Sequence, residues 1–431
     1  MYRPFYSPKK VINPQPNDTP PTVKPALLGS AVDYFGLGLV TPLLPFFCTE
    51  FAGSVDSVGY VLSAQYLGVI FGSAAVGYLS DRIGRKNTLM IALAGDVIFF
   101  SLTGFVKTVP TMCVVRLFAG LFTPLAACIA WVQDAAGNDE LARAKNQGYF
   151  GGSAVIGFMS GAAAGGILGY SSFTAMNCVC GAFALFALVY TFFSLEPTRP
   201  HSEQQKTAGI ENIVKNKYFF SLAFSNFVVG CQFTAITTLF SIVMMEQFGY
   251  VEYQVSLCLI STTFFHLVIM VNLARLMKIF KTGTNLIVMS YVAAVISHVG
   301  FLFDPAYHTD LITASLFMFA TLCLPLGMSC ANVIAPNIAD VFGTNARGST
   351  LGILRTVFNI GQALGPSYGV ILYKAGGWGG EGILANGGLF FAIQACMLLL
   401  SCGCLLRTWG FEKNEVIKKK HQKEIEIEIE V

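Results

Sequence analysis

Six ionisable side chains stand inside stretches that are otherwise apolar: Asp33, Asp96, Arg116, His266, His298 and Arg355. A charged group at the centre of a hydrocarbon layer costs about 3 kcal/mol even on lenient scales, so such residues face a cavity or a partner. Asp33 is the sharpest of them. A carboxyl there can take up a proton and exchange it for a cationic solute, or it can serve as an interhelical hydrogen-bonding group. Arg116 stays charged at any physiological pH. That suits it to anchoring an anion or tuning a neighbouring acid, with packing on backbone carbonyls as the structural alternative. Asp96 is a second acid for which function and structural pairing both stand open. Arg355 can meet an acid or a solute, but snorkelling towards water is the expected arrangement. His266 and His298 belong to the one residue type that ordinarily titrates near neutral pH. As lone histidines they read first as hydrogen-bonded packing residues, His266 being the better candidate for coupling.

The elements that must hold these residues follow from composition. Apolar residues make up 54% of the 431 and charged residues 12%, against about 25% charged in ordinary globular chains. A membrane-spanning helix needs about 20 apolar residues. Apolar runs give twelve candidates, near 27–49, 58–79, 88–106, 109–134, 146–169 and 173–194, then 218–245, 255–273, 284–303, 311–339, 348–373 and 384–406. Asp33 then sits about seven residues inside the first span, roughly 10 Å deep, and Arg116 at a similar depth from the other face. The expected organisation is a tail (1–25), a six-helix bundle (26–194), a loop (195–217), a second bundle (218–406) and a tail (407–431).

Charge placement orients the chain. With the N-terminus in the cytosol, 23 of the 27 Lys and Arg fall on cytosolic segments and only Lys107 and Lys374 on the other side. The positive-inside rule therefore puts both termini in the cytosol. No basic, aromatic stretch occupies a water-exposed domain, so nucleic acid is not an expected partner. The polar, proline-rich first 25 residues carry no apolar core of a cleavable signal. The twelve cysteines lie nearly all in apolar segments without a CxxC pair, so they read as packing residues, and no metal or cofactor is expected. No GxxxxGK[ST] motif is present, which disfavours an ATP-driven pump. The sole glycosylation sequon, at Asn17, is expected to be unused. KKKHQK (418–423) reads as a solvated charge run, and EIEIEIE (424–430) as disordered.

An internal repeat links the two sets of six. Arg143, Gly148, Gly157, Gly161 and Gly165 recur 204 residues later as Arg347, Gly352, Gly361, Gly365 and Gly369. Repeated bundles are a transporter architecture. Between the second and third spans the chain reads GYLSDRIGRK (77–86). This decapeptide resembles the G-x-L-x-D-R-x-G-R-K signature of the major facilitator superfamily, and the likeness extends over roughly 26–406. Within that superfamily the first half resembles twelve-helix drug:proton antiporters of the tetracycline-exporter type. It does so in DYFGLGLVTPLLP (33–45), RLFAG (116–120) and GFMSGAAAGG (157–166). Ala162 replaces a proline of the antiporter pattern, whereas the eleventh span keeps Pro366 after Gly365. Those exporters also carry a third-helix acid, about one turn beyond Asp96.

The resemblance implies an all-helical fold of twelve spans in two pseudo-symmetric bundles. It implies a cytosolic latch in which Asp81 faces the N-terminus of the eleventh helix and Arg85 pairs with Asp134. Gly77 would let helices approach closely, Gly84 belongs to the same gating segment, and Arg82, Arg85 and Lys86 also help to fix topology. The matching second-half segment, NLARLMKIFK (272–281), lacks the acid and the glycines, so gating is expected to be asymmetric. The expected function is secondary active transport of a small organic solute by a monomer in a lipid bilayer, not enzymatic catalysis. Proton antiport at Asp33 leads, with symport, facilitated uptake and a non-transporting receptor as alternatives.

Overall fold

A computed structural model of the chain describes residues 23–52, 57–136, 140–168, 172–194, 216–280, 282–300, 347–375 and 388–408, with isolated positions between 302 and 334. The regular elements among them are helices: α1 (Lys24–Val40), α2 (Leu44–Ala52), α3 (Ser57–Ile83), α4 (Arg85–Thr103), α5 (Val109–Leu121), α6 (Leu125–Ala136), α7 (Glu140–Leu168) and α8 (Phe173–Ser194) in the first half. The second half has α9 (Lys217–Phe248), α10 (Glu252–Val271), α11 (Leu273–Ile279), α12 (Gly283–Gly300), α13 (Arg347–Ala375) and α14 (Gly388–Thr408). Among the described residues eight helices are long and apolar enough to cross a membrane, or nine if the bent pair α1–α2 is one span. The glycine-rich α7 and α13, 29 residues each, are long enough as well. The tenth expected span, 311–339, lies largely outside the described residues, as do both tails and the loop 195–215.

Two spans are broken by proline. α1 and α2 meet at 44° where Pro42 and Pro45 interrupt the backbone ladder, and Thr41 Oγ1 donates to the Leu37 carbonyl at 2.7 Å at the break. The fourth span divides into α5 and α6 at Thr123-Pro124. A proline ring cannot donate to the turn before it.

Small residues set the packing. In hydrocarbon, helices gain nothing from hydrophobic burial and associate by close backbone contact. A Cβ built on Gly157, Gly161 or Gly165 of α7 would run into the backbone of Ala31, Phe35 or Leu39 of α1. The other half repeats this. Gly361, Gly365 and Gly369 of α13 lie against Phe227, Cys231 and Ala235 of α9. The partners on α1 and α9 keep a constant offset of 196 residues, which the sequence alone does not display because none of the three pairs is identical. The outer pair of the repeat is unequal: Gly148 meets the Met270 carbonyl, but no described atom lies within 4 Å of a Cβ on Gly352.

Pro366 has a different environment from its counterpart. It lies inside α13, where the missing N–H frees the carbonyl of Gln362. Thr234 Oγ1 of α9 lies 3.2 Å from that carbonyl and 2.9 Å from the Gly230 carbonyl of its own helix, so its single proton is shared between them, a partial repair of the kind that membrane helices use. In the first half the equivalent positions hold Ala162, Phe158 and Gly38. There the Phe158 carbonyl packs directly on Gly38.

Among the described residues the two bundles meet chiefly along two edges. On α3 and α13, Ser63 and Ser367 share a hydrogen bond of 2.8 Å, Asn359 Nδ2 donates to Ser73 Oγ at 3.1 Å, and Gly59 packs on the Pro366–Ser367 backbone. On α7 and α10, Gly148 and Gly151 meet Met270, and Gly166 meets Ser256.

Candidate functional site

Between the bundles lies a cavity with an empty volume of about 1220 Å³, mouth included. Its wall is largely apolar and aromatic, with Tyr34, Tyr66, Phe150, Phe158, Phe233 and Phe358 among the lining residues. Hydroxyls and amides are interspersed: Thr237, Thr238, Thr262, Thr263, Gln147 and Gln362. Seven of the chain's helices contribute to it, from both halves.

Asp33 lies just behind this wall, one residue before Tyr34. It is half-buried. The Thr123 hydroxyl, exposed by the break between α5 and α6, is its side-chain hydrogen-bonding neighbour, and the charges of Arg355 and Arg116 lie within reach. Asp96 of α4 is fully buried, and neither of its oxygens has a hydrogen-bond partner among the described residues. It interacts with Asp33 and Arg116. Asp33, Asp96 and Arg116 thus sit on α1, α4 and α5 of the first bundle, and Arg355 on α13 at the cavity wall.

Arg116 is placed by glycine packing. Gly68 and Gly72 of α3 sit on the Leu117 and Leu121 carbonyls of α5, and Gly120 sits on the Gln65 carbonyl. That close approach carries the Gln65 side chain to Arg116, whose Nη2 donates to Oε1 at 2.6 Å. The guanidinium is fully buried, and Nε and Nη1 have no partner among the described residues. Sequence reading missed Gln65 and Thr123, because neutral polar residues are common in membrane helices and carry no distinguishing signal.

Arg355 departs from expectation. It does not snorkel: it lines the cavity, its guanidinium carbon 5.1 Å from the Phe358 ring centroid, because the face of α13 that carries it turns inwards. His266 also lines the cavity, with Nε2 lacking a hydrogen-bond partner among the described residues. Its neighbours Phe264 and Phe265 point outwards and are more than half exposed, as lipid-facing rings are. His298 is a buried packing residue that donates from Nδ1 to the Ala294 carbonyl at 2.6 Å beside Phe391.

The segment 77–86 forms the turn between α3 and α4. Gly84 has φ 88°, a conformation that only glycine adopts without strain. The turn directs Arg85 Nε to Asp134 Oδ2 at 3.1 Å, and Arg85 Nη1 to Ser80 Oγ at 2.7 Å. Lys86 Nζ donates to the Phe192 carbonyl at 3.0 Å, in the last turn of α8, where a cation complements the helix dipole. Arg82 lies over the Tyr78 ring at 4.4 Å. No described atom lies within 4 Å of a Cβ on Gly77, and among the described residues Gly59, Gly68 and Gly72 make the close contacts of α3. Asp81 falls in the last turn of α3, with its side chain outside the described residues. The second-half counterpart is the short α11, in which Arg275 Nη1 donates to Asn272 Oδ1 at 3.1 Å.

Known proteins resemble this chain over most of its length. The family model described as Major Facilitator Superfamily matches residues 26–366 and 222–424. Multidrug resistance protein 2 of Bacillus subtilis (strain 168) is 23% identical over 358 residues, 79% of this chain and 86% of that protein. The class E tetracycline resistance protein of Escherichia coli is 27% identical over 199 residues, 46% of this chain and about half (48%) of that protein. The crystal structure of the human organic anion transporter MFSD10 (TETRAN) superposes with a TM-score of 0.70 at 16% identity, covering 89% of this chain and 98% of that one.

Proposed function

Because the chain belongs to the major facilitator superfamily, and so is a multi-pass membrane transporter of small solutes, we propose that it is a proton-coupled carrier of amphipathic organic solutes. It works by alternating access, as a monomer with both termini in the cytosol. One observation carries the reading. A carboxyl, Asp33, stands next to the cavity-lining Tyr34 on α1 and Arg355 lines the cavity itself, so protonation of Asp33 would change the charge balance around the cavity. Arg116, pinned by Gln65, is the fixed countercharge, and Asp96 is a second carboxyl within its reach. Arg85 and Asp134 serve as a latch on the turn between α3 and α4.

Two coupling senses fit this core. Antiport, in which a proton displaces the solute and drives efflux or organellar loading, is supported by the names of the relatives, multidrug and tetracycline resistance proteins. Symport is favoured by one structural observation, the guanidinium of Arg355 on the cavity wall. Proteoliposomes with an imposed pH gradient of either sign test the proposal. A gradient should drive solute movement in wild type, and Asp33→Asn should retain counterflow exchange while losing gradient-driven accumulation. Accumulation in Asp33→Asn at the wild-type level would remove Asp33 from the coupling role.

A further inference from the structure

Two doublets of threonine line the cavity, Thr237-Thr238 on α9 and Thr262-Thr263 on α10. α9 ends at Phe248 and α10 begins at Glu252. Thr237 stands eleven residues before that end and Thr263 eleven residues after that start, Thr238 and Thr262 ten each. At about 1.5 Å per residue all four lie roughly 16 Å from the connecting turn, near the middle of a core about 30 Å thick. Each hydroxyl bonds to a carbonyl of its own helix. Thr237 Oγ1 is 2.9 Å from the Phe233 carbonyl and 3.1 Å from that of Thr234, and Thr238 Oγ1 is 2.7 Å from the latter. Thr262 Oγ1 is 2.9 Å from the Cys258 carbonyl, and Thr263 Oγ1 is 2.8 and 3.0 Å from those of Leu259 and Ile260. A carbonyl only accepts, so every one of these hydroxyls is the donor. Their protons are committed, and what they can show a solute is lone pairs. Thr41, the fifth threonine of the wall, is in the same state, donating to the Leu37 carbonyl.

We propose that the transported solute carries O–H or N–H donors on an apolar body, and that the threonines of α9 and α10 select it by accepting those donors at one level of the cavity. This rests on the reading of the chain as a carrier of amphipathic organic solutes and names the chemistry of its cargo. A solute that offers only acceptors finds no proton free on the threonines: to bond one, it must take the hydroxyl from its own carbonyl. A solute with donors leaves those bonds intact, and a hydroxyl that is already donating is the more polarised acceptor. In a cavity walled largely by carbon a donor left unmet loses affinity, so the doublets admit donors that the rest of the wall would penalise. Leu37, Leu62, Phe150, Val155 and Phe158 of the first half supply apolar surface for the body. Tyr34, Tyr66, Gln147, Gln362 and a neutral His266 can each donate or accept. Among the uncharged groups of the wall, the bias for one kind of partner therefore comes from the threonines.

The test uses the purified full-length chain and three probes of one skeleton: 2,7-dihydroxynaphthalene, 2,7-dimethoxynaphthalene and 2,7-dimethylnaphthalene. The first donates and accepts, the second only accepts, the third does neither, and none is charged at neutral pH. Binding is read as a thermal shift, since a ligand stabilises the state that binds it. Coupled movement is read as probe-driven proton flux in proteoliposomes, against protein-free vesicles. Thr237→Val and Thr263→Val keep the shape of the side chain and remove its oxygen. Each should weaken the diol about five-fold, the loss expected for one neutral hydrogen bond. Binding of the diether and the hydrocarbon should be unchanged, which shows that the cavity is intact. Thr237→Ser and Thr263→Ser should bind the diol as wild type does. If the diol loses no more than the diether in both valine variants, the acceptor role of the threonines is overturned. If the diether drives proton flux while the diol is indifferent to both valine variants, the proton-coupled carrier stands and this inference falls. If the diol binds through the threonines but no probe drives proton flux, the acceptor site stands and the carrier reading falls.

Discussion

Arg116 and Gln65 show how a costly residue is made tolerable in this fold. A buried guanidinium is stable only where hydrogen bonds and opposing charge replace water. Here the described hydrogen-bond partner is the Gln65 amide oxygen at 2.6 Å. Replacing Gln65 by Leu removes an acceptor without relieving the charge, and should lower stability by about 2–3 kcal/mol, read as a fall in the thermal midpoint. Gln65→Glu keeps an acceptor and should be tolerated better; equal losses would mean that Gln65 matters for packing alone. The sequence exposed Asp33, Asp96 and Arg116 because an ionisable residue in an apolar run is conspicuous. It could not separate the two fates of Arg355, since two turns from a helix end allows either snorkelling or an inward turn. The rotation of α13 decides between them. By contrast, the ion pair of Arg85 with Asp134 is partly exposed, the side chains being 16% and 44% accessible, and such pairs are worth about 0–1 kcal/mol. Arg85→Ala should therefore leave the thermal midpoint nearly unchanged while reducing transport rate. Unaltered transport would mean that the pair is ornamental to gating.

At the scale of helices, the repeat read from α7 and α13 was legible because its glycines are identical in type. The surfaces they pack on were not, because a backbone contact leaves no signature in the partner's side chain. The proline shows what each half did with the same junction. In α13, Pro366 frees the Gln362 carbonyl and Thr234 Oγ1, which also bonds the Gly230 carbonyl, reaches it at 3.2 Å; in α7, Ala162 keeps its N–H, and Gly38 presses on the Phe158 carbonyl. Two consequences can be measured by unfolding. Thr234→Val should cost about 1–3 kcal/mol in the presence of Pro366, because it strands a buried acceptor. Most of that cost should vanish in Pro366→Ala, where the restored N–H serves Gln362, giving a clear coupling energy in the double-mutant cycle. Ala162→Pro should cost about 3 kcal/mol, because Gly38 has no hydroxyl to offer. Additive effects of Thr234→Val and Pro366→Ala would disprove the compensation. The glycines also allow a controlled comparison. Gly161→Ala drives a methyl into the Phe35 carbonyl, whereas Gly352→Ala meets open space and gains helix propensity.

For the whole molecule, alternating access requires the bundles to rock about the cavity, so some contacts between them must part. Along α3 the two polar contacts with α13 are made at Ser63 and Ser73, about 15 Å apart by helical rise, on either side of the cavity-lining Tyr66. A contact at one end can persist while the other opens, but a carrier that cycles cannot hold both throughout. The Ser63–Ser367 pair has its oxygens 2.8 Å apart, close enough for a disulfide between cysteines placed there once the twelve native cysteines are accounted for. Oxidising Ser63→Cys with Ser367→Cys should stop transport, and reduction should restore it. The pair Ser73→Cys with Asn359→Cys should do the same from the other end. Each locked protein should still bind solute from the side that remains open, so side-specific binding distinguishes a trapped carrier from a damaged one. If both cross-linked forms transport at the wild-type rate, the α3–α13 edge is a fixed spine, and the rocking must be sought along α7 and α10, where Gly148, Gly151 and Gly166 make the contacts.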